Sequence, residues 1–100
     1  MESSPRSRAL SVPPLADANP DAIEVLRVWA APGTPQQIIL RTTWLDAGAW
    51  GLLLVDLARQ AAQAYAREGQ DLDAALARIR LLFDAEWGHA TDAPESPSRT

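Results

Sequence analysis

Residues 23–43 read IEVLRVWAAPGTPQQIILRTT, two runs rich in β-branched and large apolar residues separated by Pro32-Gly33-Thr34-Pro35. Such residues fit a pleated, half-buried surface, and Pro with Gly is turn chemistry. The spacing predicts strands over Ile23–Ala30 and Gln36–Thr43, and the short link makes them an antiparallel hairpin. Side chains alternate between the faces of a strand. Even positions collect Leu26, Val28, Ala30, Ile38 and Leu40, an almost wholly apolar set. Odd positions mix Ile23, Val25, Trp29 and Ile39 with Arg27, Gln37, Arg41 and Thr43. If even pairs with even, the even face is the one expected to meet a core.

The chain that follows changes period. Asp46 is an expected helix N-cap, and Leu45 with Trp50 fits a hydrophobic staple across it. A helix is predicted over Ala47–Glu68, stopped by Gly69. At 100° per residue Trp50, Leu53, Leu54, Leu57, Ala61, Ala64 and Tyr65 share one broad face, the expected core face. A second stripe of small residues, Gly48, Gly51, Val55, Ala62 and Ala66, lies away from it and is one of two expected contacts for a second protomer, the other being edge-to-edge pairing of the hairpins into a four-stranded sheet. Asp71 caps a second predicted helix, Leu72–Trp87, ended by Gly88. Its stripe is Leu72, Ala75, Leu76, Ile79, Leu82, Phe83 and Trp87. Gly69-Gln70 is so short a link that the two helices should pack antiparallel. That geometry is expected to bring Trp87 back toward Trp44 and Trp50.

Outside residues 21–88 the periodicity is lost. Residues 1–20 contain four Pro and four Ser and are expected to be a disordered arm. Residues 89–100, HATDAPESPSRT, are expected to be a disordered tail. The predicted fold class is therefore α+β, a β-hairpin followed by a helical hairpin in the order ββαα. A two-stranded sheet is barely stable alone, and each of its edges offers unpaired backbone groups. A folded unit of this size buries only about 60% of its chain surface. With no disulfide to help, dimerisation is the expected means of completing it.

Composition excludes more than it selects. Hydrophobic residues form 47% and charged ones 22%, which is incompatible with wholesale disorder. The formal net charge of −4 disfavours a nucleic-acid partner, which needs clustered cations. There is no Cys, so thiolate metal sites and Cys nucleophiles are excluded, and one His cannot build a histidine cluster. No apolar run approaches the roughly 20 residues of a membrane span, and no secretory leader is recognisable. A cytoplasmic location is expected. All nine basic residues are Arg and nineteen residues are Ala, a bias of genomic more than functional origin.

The stretches IEVLRVWA, LRTTW, AWGLLLVDLAR and ALARIRLLFDAEW resemble a family of short bacterial proteins, about 100 residues long, classed as a domain of unknown function. The resemblance spans roughly residues 20–88. It implies a bacterial origin and the same domain boundary, and brings no activity, cofactor or catalytic residue.

Few side chains invite chemistry. Arg27 and Arg41, near Trp29 on the odd face, could bind a phosphate or carboxylate if the register set them side by side. Asp56, Arg59, Gln60, Gln63 and Arg67 form a polar helix seam. His89 follows a helix end, where the dipole favours a cation. Asp71, Asp73, Asp84 and Glu86 fit no calcium-loop spacing and are better read as a cap, first-turn acids and a solvated face. No phosphate loop, dinucleotide fingerprint, metalloprotease or serine-hydrolase motif occurs. The expected function is a small non-catalytic protein-interaction module that forms a homodimer, with an unidentified protein as a further partner. No cofactor, metal, nucleic acid or membrane is expected. The alternative is a binder of a small anionic metabolite through Arg27, Arg41 and Trp29.

Overall fold

The computed structural model describes residues 4–89. The order is α1 (Pro5–Arg8), α2 (Pro14–Ala18), β1 (Leu26–Ala31), β2 (Thr34–Leu40), α3 (Gly48–Arg67) and α4 (Leu72–Gly88). An antiparallel hairpin followed by two long helices is the expected α+β arrangement. The chain divides into two compact units at Arg41/Thr42.

In the first unit, β1 pairs with β2 in the register Leu26↔Leu40, Arg27↔Ile39, Val28↔Ile38 and Trp29↔Gln37. Even positions therefore oppose even positions, which puts the apolar set on one face. The strands start and end closer to the turn than their composition indicated. Pro32-Gly33 alone makes the link, with Gly33 at φ 72°, the conformation that the third residue of a type II turn requires. Pro35 then falls inside β2, where the ladder shifts register between Trp29 and Ala31. Such an irregularity is one of the few places where a strand accepts a residue lacking an N–H.

The expected burial of the even face is not realised within one chain. Val28, Ile38 and Leu40 remain 49%, 56% and 51% exposed. A two-stranded sheet has no neighbouring strand to extend its apolar face, so each side chain keeps an open flank.

Two short helices occupy the N-terminal stretch, where the sequence pattern indicated no element. Pro5 and Pro14 stand at their first turns, where a missing N–H costs nothing. Ser4 caps the first, accepting from the Ser7 N–H at 3.3 Å. Of the expected C-terminal tail, only His89 lies within the described residues.

The second unit is the helical hairpin. Asp71 caps α4 as expected, its Oδ2 accepting from the Ala74 N–H at 2.8 Å. Asp46 also caps as expected. Its Oδ1 accepts from the Gly48 N–H at 2.8 Å, and Ala47 already has helical φ and ψ. The link between the helices holds Gly69 at φ 105°, a left-handed stop that a side chain would strain. Only Ala62, at 0%, and Ala75, at 8%, are buried among the described residues. Both lie within a few residues of this link. The hairpin is thus tightly closed at the Gly69 end and wider at the other.

Candidate functional site

The face of α3 that meets α4 is broader than the expected core face and takes in part of the small-residue stripe. The small-residue stripe predicted as a dimer contact lies, in large part, against α4 of the same chain. Ala62 is fully buried, and Gly51 and Val55, with Leu54 of the expected core face, line a groove against Leu76, Ile79 and Phe83 of α4. Two helices approach closely only where the facing side chains are small, which is why the stripe turns inward. Gly48 has a separate role. A Cβ there would come 3.2 Å from Asp46 Oδ1, so glycine leaves space for the capping carboxylate. Ala66 is half-buried.

The groove has a volume of about 390 Å³ and opens beside Trp87. Trp87 stacks on Phe83 at 5.5 Å between ring centroids, and is 79% exposed. Arg80 and Asp84, which also line the groove, pair through both carboxylate oxygens at 3.0 and 2.9 Å. Trp87 returns to the Gly51 end of α3 as expected, but its ring pairs with Phe83, while Trp44 and Trp50 form a pair of their own.

The other pair sits where α3 begins. Trp44 and Trp50 meet edge to face, with centroids 5.7 Å apart and planes at 75°. Leu45, the expected staple residue, is fully exposed instead. A tight turn at Thr43 decides the exchange. Thr43 has φ 62°, and the Trp44 N–H donates to the Thr42 carbonyl at 2.6 Å. This three-residue turn places Trp44, rather than Leu45, against Trp50.

Arg27 and Arg41 share the odd face but do not oppose each other. Arg27 pairs with Ile39, while the Arg41 N–H donates to the Val25 carbonyl at 2.9 Å. The two are diagonal neighbours. The Arg27 guanidinium is held by Glu24, with Nη2 at 2.9 Å from one carboxylate oxygen and 3.1 Å from the other. Trp29, half-buried, faces Gln37 across the ladder. Trp29, Arg27 and Leu26 also line a cavity of about 470 Å³ between β1 and the segment Arg8–Pro13.

Four of the acids have structural work. Asp46 and Asp71 cap helices, and Glu24 and Asp84 neutralise arginines. Among the described residues no group of three His, Asp or Glu side chains stands close enough to hold a metal ion. No described helix is long and apolar enough to cross a membrane.

Residues 9–91 match a family described as a domain of unknown function, DUF5076. The chain belongs to the DUF5076 family. A solved structure from the photosynthetic bacterium Rhodopseudomonas palustrus CGA009, provisionally named a pyruvate dehydrogenase, is 41% identical. The similarity covers 93% of this chain and 95% of that one, with a TM-score of 0.75. The family match begins at residue 9, upstream of the hairpin, so it takes in α2 but not α1. No curated protein matches the chain.

Proposed function

We propose that this DUF5076 protein is a small interaction module that works as a homodimer and performs no chemistry of its own. One observation carries the reading: the isolated chain has almost no core. The only buried side chains among the described residues are the two alanines, while Ile39, Leu52, Leu81 and Trp87 are more than half exposed. Monomeric proteins seldom leave so many large apolar groups in water, because each would be stabilised by roughly 1.5–3 kcal/mol on full burial. Association is the remaining route to that burial in a chain without disulfides.

The anion-binding alternative is weaker. Glu24 already occupies the Arg27 guanidinium, and the register keeps Arg41 diagonal to it rather than beside it.

Size-exclusion chromatography with light scattering tests the reading. A mass near twice the 10.8 kDa chain at low micromolar concentration is expected. A mass of one chain at that concentration would overturn it.

A further inference from the structure

We propose that the free edge of β2 is where a second copy of this chain docks, strand against strand. The two hairpins then form one four-stranded sheet in the order β1-β2-β2-β1. The inference rests on the homodimer reading above and names its contact.

The phase of the ladder identifies the available backbone groups. Antiparallel partners alternate between pairs that exchange hydrogen bonds and pairs that do not. The Arg41 N–H donates to the Val25 carbonyl, and Leu26 opposes Leu40. The odd residues of both strands therefore spend their backbone groups within the hairpin. The even residues of β2, Gln36, Ile38 and Leu40, direct theirs outward from an edge that meets no third strand among the described residues.

The side chains on that edge do nothing to discourage pairing. β2 reads TPQQIIL and carries no charge, and all seven residues are exposed. Ile39 alone is 73% exposed. Edges that must stay single are usually blunted by Lys, by inward charges, by Pro or by a bulge. Here Pro35 and the irregularity stand at the turn end, leaving Gln37–Leu40 regular and open. The free edge of β1 differs. The segment Arg8–Pro13 stands across a cavity from Leu26–Ala30, and β1 carries Arg27.

The outward groups also fix the register. A twofold axis at Ile38 sets Ile38 opposite its own copy and Gln36 opposite Leu40, so every outward N–H and C=O from Gln36 to Leu40 gains a partner. No like charges oppose each other. Leu26, Val28, Ile38 and Leu40 of both copies then line one continuous apolar face.

A chain without cysteine allows a direct test. Hydrogen-bonded antiparallel partners lie about 5.5 Å apart at Cα, within the roughly 4.4–6.8 Å that a disulfide spans. Ile38→Cys is expected to give a covalent dimer on air oxidation, each pair of thiols losing two electrons and two protons to dioxygen. Val28→Cys, on the other strand's edge, is expected to cross-link at least tenfold more slowly. Ile38→Pro removes an N–H that points away from β1, so the hairpin should survive while the dimer dissociates at least tenfold more readily. Circular dichroism checks that the variant is folded; if it is not, the Cys pair decides. A dimeric parent protein whose Ile38→Cys form cross-links no faster than Val28→Cys overturns this contact and leaves the homodimer standing. A monomeric parent protein overturns both.

Discussion

Trp50 donates its indole N–H to the main-chain carbonyl of Thr42 at 3.0 Å. The same carbonyl accepts from the Trp44 N–H, so one oxygen ties the turn to the first turn of α3. Trp50→Phe keeps a ring against Trp44 and removes the donor. The expected loss is about 1 kcal/mol, the usual net worth of one hydrogen bond. For a domain of this size that lowers the melting temperature by about 4–8 °C. A thermal melt unchanged within a degree would show that the bond contributes nothing.

Thr43 is the one described residue other than glycine with positive φ. A β-branched side chain there is uncommon, and such strain costs on the order of 1–3 kcal/mol. Thr43→Gly relieves it but enlarges the unfolded ensemble, a cost of roughly 0.5–1 kcal/mol. Chemical denaturation should therefore show a modest net gain for Thr43→Gly. A loss of stability would mean that the Thr43 side-chain contacts outweigh the strain.

Asp71→Ala removes the side-chain acceptor for the Ala74 N–H. Loss of such a cap typically costs about 1 kcal/mol. Asp71→Asn keeps an oxygen in the same place and should recover most of that loss. Urea midpoints of the three proteins check the order. Equal midpoints for the Ala and Asn variants would refute the capping role.

Ala62→Leu forces a large side chain into the closed end of the hairpin. Overpacking of this kind costs about 1–3 kcal/mol. Ala61→Leu, one position away on an exposed face, should change stability by no more than about 0.5 kcal/mol. Similar losses for both would contradict the assignment of Ala62 to the face against α4.

Much of this fold was legible because its signals are local. Asp71 and Gly69 bracket the helix link through caps that need no distant partner. The even pairing of the hairpin comes from the register shift between Trp29 and Ala31, because a two-residue turn alone would set even positions opposite odd ones. The helix faces were not legible in the same way. Apolar counting ranks Trp50, Leu53 and Leu57 above Gly51, Val55 and Ala62, because it weighs transfer energy. Packing two helices weighs approach distance instead, and small residues win there. The Trp44–Trp50 pair depended on a strained turn at Thr43, and no propensity scale anticipates threonine with positive φ. Pro35 inside β2 was hidden for a similar reason, since it relies on a register shift. Arg27 and Arg41 looked like a pair only in a register displaced by two residues from the observed one.

The closed end of the helical hairpin also sets how the unit should breathe. Backbone amides flanking Ala62 and Ala75 sit where the helices are clamped, and are expected to exchange with deuterium most slowly. Toward Gly51 and Trp87 the groove leaves the two helices fewer mutual restraints, and exchange should quicken along α4 to its end. The hairpin then behaves as a pair of tongs hinged at Gly69, with Phe83 and Trp87 at the moving tips.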